Sequence, residues 1–231
     1  MPKRPSAVAI GPDSQIISAD KFGDVYAIPL LISADGSKSS ASLSSLPLPS
    51  KKSFKPTATT LTVHSKGNRL ALLNQIKQAE LAAEAKDGNS PGPNFELNLL
   101  LGHVSMLTAL VLGEQQGRKY IVTADRDEHI RLSRYIPHAH IIENFCFGHK
   151  EFISDMVIPA AKPEVLVSGG GDENIFVWDW LAGKQLFKTS ILSLAQEIAP
   201  ETATIAVSGL YTLLYPSEDG PMTYILAICE E

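Results

Sequence analysis

The sequence predicts an all-β chain of WD-repeat β-propeller type, a partial ring of about three blades plus part of a fourth. Two observations carry this. First, LGHVSMLTALVLGEQQGRKYIVTADRDEHIRLSRY and FGHKEFISDMVIPAAKPEVLVSGGGDENIFVWDW repeat one pattern: Gly102-His103 returns as Gly148-His149 46 residues on, and Asp127 as Asp172 45 residues on. A period of roughly 40 to 45 residues that opens on Gly-His and closes on Trp-Asp marks propeller blades. Second, apolar runs of strand length alternate with turn residues along most of the chain.

Taken in order, residues 4 to 30 read as most of a blade: a strand through Ser6 to Ile10, a Gly11-Pro12-Asp13 turn, a strand ending IISAD, and the strand VYAIPL after Gly23-Asp24. IISADKFGDVYAI aligns with IVTADRDEHIRLS, which sets Ser18 on Thr123 and Asp20 on Asp125 and makes a third copy of the repeat. Residues 33 to 97 are expected to be an insertion between blades of one domain spanning 1 to 231. Residues 33 to 53 hold nine serines, with Pro47, Pro49 and several lysines. Such a composition cannot bury enough apolar area to offset ordering entropy, so residues 33 to 56 are expected to form a loop without fixed structure. TATTLTVHSKGNRLALL then suggests a strand pair turning at Lys66-Gly67-Asn68, and NQIKQAELAAEAK a short exposed helix over Gln75 to Lys86. The two clear copies predict blades over 98 to 136 and 141 to 187. Ile191 to Glu197 reads as a connecting segment, and TATIAVSGLYTLLY with MTYILAICEE as two strands of a further blade whose open edge needs cover.

Within the second clear copy, His149, Ser168, Asp172 and Trp178 match the carboxylate, imidazole, hydroxyl and indole that WD repeats join in one buried hydrogen-bonded relay, satisfying groups that are costly to bury unpaired. The first copy offers His103, Thr123 and Asp127 but has Ser133 where the tryptophan belongs, so its relay is expected to be incomplete. These residues are read as structural, and no catalytic residue is assigned. HAHIIENFCFGH gathers His138, His140, Cys146 and His149, but alternate strand residues point to opposite faces and the spacing suits zinc poorly, so no metal is expected. Gly169-Gly170-Gly171 leads into a strand, not a helix N-terminus, and is expected to be a tight turn, not a phosphate cradle. Lys21, Arg126 and Arg131 lie in or beside equivalent turns of neighbouring copies and are the candidate partner-binding residues; Arg131 stands where the regular copy has Phe176.

Composition narrows the function classes. The chain has 231 residues, 44% of them hydrophobic and 19% charged, which suits a globular domain. A formal net charge of -5 argues against nucleic-acid binding by bulk electrostatics and leaves RNA contact to a local site or a partner. Cys146 and Cys229 form no framework of short spacings, pointing to a reducing compartment, and no apolar run reaches the length of a membrane span.

In order, ADKFGDVYAIPL, LLGHVSML, YIVTADRDEHIRLSRY, IIENFCFGHKEFIS and LVSGGGDENIFVWDW resemble the WD-repeat, non-catalytic subunit family of the eukaryotic tRNA (guanine-N7-)-methyltransferase. The resemblance covers roughly residues 4 to 30 and 98 to 200. It implies a scaffold that binds no cofactor itself, forms a heterodimer with a catalytic subunit holding S-adenosylmethionine, and helps place tRNA for N7-methylguanosine formation in the variable loop. It also implies nuclear location, with the cytoplasm as the other compartment, contact with the catalytic subunit through Lys21, Arg126 and Arg131, and about two blades before Met1 with the end of the ring after Glu231. A generic WD-repeat scaffold, such as a ubiquitin-ligase substrate adaptor, is the alternative reading.

Overall fold

The computed structural model describes residues 4–30, 97–217 and 220–230, with Lys66, Arg69, Leu70, Leu72, Leu73, Asn74, Ile76 and Lys77 between them. The chain forms two compact units, Met1–Ala34 with Phe95–Glu231, and Asp35–Asn94.

The first unit contains three four-stranded antiparallel sheets and a hairpin. The first sheet is β1 (Pro5–Gly11), β2 (Gln15–Asp20), β3 (Asp24–Pro29) and β4 (Asn98–Gly102). The second is β5 (Leu107–Gln115), β6 (Arg118–Asp125), β7 (Ile130–Arg134) and β8 (Ile142–Cys146), and the third is β9 (Ile153–Val157), β10 (Val165–Gly170), β11 (Asn174–Asp179) and β12 (Lys184–Ser190). The hairpin pairs β13 (Ala206–Ser217) with β14 (Gly220–Glu230). The first strand of each sheet packs beside the first strand of the next, β1 on β5, β5 on β9 and β9 on β13. This is the blade sequence of a partial propeller.

The expected blades are offset by one strand, and residues 33 to 97, expected between blades, fall within the first blade, between its paired strands β3 and β4. β4 hydrogen-bonds to β3, Asp24 opposite Gly102, and β8 to β7, Ile130 opposite Cys146, so 98–102 closes the first blade and 142–146 the second. The repeat visible in the sequence starts on the last strand of the preceding blade. Its Gly-His dipeptide marks the step from one sheet to the next.

Side-chain alternation explains why the middle strands read as continuous apolar runs. On β6, Tyr120, Val122 and Ala124 pack toward the third blade, while Ile121 packs with Ile17, Val25, Leu107 and Leu110 toward the first. On β10 and β11, Leu166, Phe176 and Trp178 face the second blade, and Val167 and Val177 join Val207 and Leu210 of the hairpin. Period-2 side chains buried on both faces leave no polar face to alternate with. Trp178 and Trp180 are fully buried, and each large apolar side chain removed from water contributes roughly 1.5–3 kcal/mol.

Two local expectations are corrected. Ile191–Ile198, read as a connector, is a helix, α1: the hydroxyl of Ser190 accepts from the Ser193 N–H at 3.1 Å as N-cap, Ile191 is buried beneath it, and Pro200 follows its end. In the second unit, of the strand pair expected to turn at Lys66-Gly67-Asn68, the described residues Lys66, Arg69, Leu70, Leu72 and Leu73 are helical, as is Asn74 after it; the rest of that segment lies outside the described residues. Leu72 is buried and Ile76 half-buried, a spacing of four that suits one face of a helix, and Leu73 and Gln75 between them are good helix formers. Ile76 and Lys77, within the expected Gln75–Lys86 helix, are helical; the remainder of that segment, and the expected loop over 33 to 56, lie outside the described residues.

One face of the hairpin packs against the third blade at its base, through Val207, Leu210 and Ile225. On the other, the directly opposed pairs Tyr211–Leu226, Leu213–Tyr224 and Tyr215–Met222 leave all six side chains 45–57% exposed.

Candidate functional site

The two Gly-His steps, into the second and into the third blade, each place an imidazole beside the turn between that blade's second and third strands. In the third blade, His149 Nδ1 lies 2.7 Å from Asp172 Oδ2, His149 Nε2 lies 2.7 Å from Ser168 Oγ, and the Trp178 indole N–H donates to the same hydroxyl at 2.8 Å. All four sequence-predicted members therefore meet. Phe176 and Trp178 stack 5.6 Å apart, with the imidazole 4.2 Å from the Phe176 ring. Burial lowers the His149 pKa below its ordinary value, although the Asp172 hydrogen bond and charge oppose that shift. Asp172 also accepts from the Lys150 and Glu151 N–H groups and so fixes the loop that carries the histidine.

In the second blade the acceptor is Asp125, not Asp127. His103 Nδ1 lies 3.3 Å from Asp125 Oδ2 and its Nε2 2.9 Å from Thr123 Oγ1, while Asp127 is exposed and its own N–H donates to Asp125 Oδ1 at 3.0 Å. The Asp125 oxygen also takes the His129 N–H, so the carboxylate closes its own turn. Burial would raise the Asp125 pKa, but the hydrogen bonds from His103 and the His129 backbone, with the charges of both imidazoles, hold it below the ordinary aspartate value.

The two-residue displacement has a steric cause. Gly170 aligns with Asp125, and a β-carbon at Gly170 would meet the Phe152 carbonyl oxygen at 1.9 Å, so the third blade must supply its carboxylate later, from Asp172. The signal for Asp125 was present in the sequence as two Ala-Asp dipeptides. Asp20 occupies the matching position in the first blade, its Oδ1 accepting from the Phe22 and Asp24 N–H groups at 2.8 and 3.1 Å. The matched turns also share positive φ at Gly23 and Glu128. Asp125→Ala is expected to cost about 1–3 kcal/mol by leaving His103 and two turn amides without their acceptor. Asp127→Ala should change stability by less than about 0.5 kcal/mol. Paired chemical melts of the two variants check the assignment.

Of the three candidate partner-binding residues, Lys21 and Arg126 are exposed and each follows the matched aspartate directly. Their N–H groups donate to Arg4 O and Met106 O, one strand start in each blade, so the two side chains leave equivalent points of adjacent turns. Arg131 stands apart: it is only 8% exposed. Its Nε donates to Ser133 Oγ at 3.1 Å and its Nη1 to Gly102 O at 2.9 Å. The guanidinium and Ser133 thus replace the Phe176–Trp178 stack of the next blade, and they tie the end of β4 in the first blade to β7 in the second. Burial lowers the Arg131 pKa, with the Asp125 charge opposing.

The remaining sequence candidates fall into structural surroundings. His138 and His140 make a ring contact at 6.3 Å, His149 is held in its relay, and the buried Cys146 thiol faces Trp180 O at 3.9 Å with its pKa pushed up to about 12 by burial and by Asp179. Gly169 and Gly170 end β10 and lead by a bend into β11. Among the described residues no helix is long and apolar enough to cross a membrane, and no group of three His, Cys, Asp or Glu side chains is placed to hold a metal ion.

Comparison with known proteins matches residues 1–231 to the family described as the tRNA methyltransferase TRM82 WD40 domain. The chain is 49% identical over 220 residues to a tRNA (guanine-N(7)-)-methyltransferase non-catalytic subunit of Sclerotinia sclerotiorum, covering 91% of this chain and 41% of that relative. It is 51% identical over 182 residues to the subunit of that name from Phaeosphaeria nodorum, covering 78% of this chain and 37% of the relative. For Aspergillus fumigatus the identity is 48% over 203 residues, covering 83% and 39%. The chain spans about two-fifths of the length of these curated relatives.

Proposed function

The chain belongs to the tRNA methyltransferase TRM82 WD40 domain family, and on that premise we propose that it serves as a non-catalytic scaffold of a tRNA (guanine-N7-)-methyltransferase. In this reading it acts in the nucleus, holds a separate S-adenosylmethionine-dependent catalytic subunit in its active shape, and helps place tRNA for N7-methylguanosine formation.

The observation that carries a scaffold role is the fate of the reactive-looking side chains. His103 and His149, the two carboxylate-paired histidines that also meet a hydroxyl, each bridge an aspartate and that hydroxyl as part of the blade framework, while His129 lies 3.5 Å from the same Asp125 carboxylate. A nucleophile–base pair needs its hydroxyl presented to a substrate-sized cleft; Thr123 and Ser168 are instead fully buried.

Contact with the catalytic subunit is proposed to run along the adjacent turns that present Lys21 and Arg126. Arg131 is proposed to support that surface from within, since it fastens the strand leading into His103 to the blade that bears Arg126. Charges at such a rim act on association rate and salt dependence more than on the buried core.

Co-purification tests the reading. The wild-type chain is expected to recover a methyltransferase and to raise N7-methylguanosine in tRNA, and Lys21→Glu with Arg126→Glu to weaken recovery about tenfold with an unchanged melting temperature. Failure of the wild type to recover a methyltransferase overturns the function; undiminished recovery by the double variant overturns the contact surface alone.

A further inference from the structure

The end of the blades opposite those turns holds a cleft that none of the roles above uses. Its volume is about 440 Å³, and it is lined by Asp13 from the β1–β2 turn, Arg118, Lys119 and Tyr120 from the start of β6, and Arg134, Tyr135 and His138 at the end of β7 and beyond, with Gly117 and Ile136. The lining carries three permanent cations and one carboxylate, and even with Glu143, the ion-pair partner of Arg134, a net positive charge remains here on a chain whose net charge is -5.

The fold creates this excess. β5 and β6 are joined by a tight hairpin in which Gln116 and Gly117 both have positive φ, so Arg118 emerges at the lip as the first residue of β6, opposite Gln115. The Tyr135 N–H donates to Lys119 O at 3.0 Å, which holds the end of β7 beside it. Lys119 Nζ is shared between Asp13 Oδ1 at 3.2 Å and the face of the Tyr135 ring at 5.9 Å, and Arg134 pairs with Glu143. Arg118 is exposed and makes no ion pair within the described residues.

Of the lining residues, the Tyr135 hydroxyl has no hydrogen-bond partner among the described residues, but it is buried against Gly11 of the first blade, so the groups left to meet a ligand are the cations.

We infer that this cleft between the first and second blades binds a phosphate group of an RNA backbone, with Arg118 as the principal ligand and Lys119 and Arg134 as supporting cations. Guanidinium forks match phosphate oxygens, and the cleft offers Ile136 as its one aliphatic side chain, whereas peptide-binding surfaces rely on apolar anchors at their centre. A single local site of this kind reconciles RNA contact with an acidic chain. The inference rests on the proposed role in placing tRNA and gives that role a location.

The test is binding of a labelled tRNA transcript to the full chain, without a catalytic partner, between 50 and 200 mM salt. Arg118→Glu with Arg134→Glu is expected to weaken binding about tenfold and to flatten the dependence of log affinity on log salt by about 1 to 2. Asp13→Asn, which removes the one carboxylate of the cleft, should tighten binding about twofold. Lys184→Glu, an exposed charge reversal on β12, should alter neither. Melting temperatures establish that each variant is folded.

The site is overturned if the wild type binds no RNA, or if folded cleft variants bind it as the wild type does. Titration with inorganic phosphate separates the sources: a response of the cleft to phosphate alone, with RNA affinity indifferent to the substitutions, assigns a free anion and overturns the RNA reading. Recovery of a methyltransferase without RNA binding would remove this site and leave the scaffold standing. RNA binding through the cleft without such recovery would do the reverse.

Discussion

Trp178→Ala is expected to lower stability by about 3–5 kcal/mol, the largest effect of any single truncation proposed for this chain. The indole is fully buried in the cluster between the second and third blades, stacked on Phe176 and close over Gly148. Its removal opens a cavity that the blade cannot readily close, because β11 is held by ladder hydrogen bonds to β10 on one side and β12 on the other. Trp178→Phe separates the two roles of the residue. It keeps most of the ring and loses the bond to Ser168, so a cost of about 1–2 kcal/mol is expected. Denaturant midpoints for both variants provide the check; equal losses would show that the relay bond, not packing, is what the tryptophan supplies.

Arg131→Glu is expected to destabilise the second blade by about 3 kcal/mol or more, because the substitution buries a carboxylate near Asp125 and leaves Ser133 and Gly102 O without their donor. A partner-binding residue at the surface, which is how the sequence reads Arg131, would tolerate charge reversal without loss of fold. The position of Arg131 inside the blade makes loss of fold the first expectation, read as a lower melting temperature of the isolated chain. Arg131→Met, similar in length and uncharged, should recover part of that loss. A charge-reversed protein that melts like wild type would show that the guanidinium can leave its site at no cost.

The sequence by itself determined the architecture. Repeats of about 45 residues can bury their apolar faces only against one another, so His149, Ser168, Asp172 and Trp178 at fixed offsets were enough to specify sheet, turn and relay. It also showed which blade departs from the rule, since Ser133 stands where Trp178 stands in the next copy.

What the sequence could not decide were matters of register and depth. The blade boundaries moved by one strand because pairing of β4 with β3 is a long-range contact across the insertion, invisible to a linear period. The acceptor moved from Asp127 to Asp125 because backbone clearance at Gly170 differs from that at Asp125, a distance no alignment of three copies contains. Arg131 moved from the surface to the interior for a related reason. A charged residue is usually exposed, and only the neighbouring blade, by bringing the Gly102 carbonyl within 2.9 Å and Asp125 close by, makes its burial affordable. Local chemistry chose the elements, and contacts between elements distant in sequence chose which side chains would be paired, buried or presented.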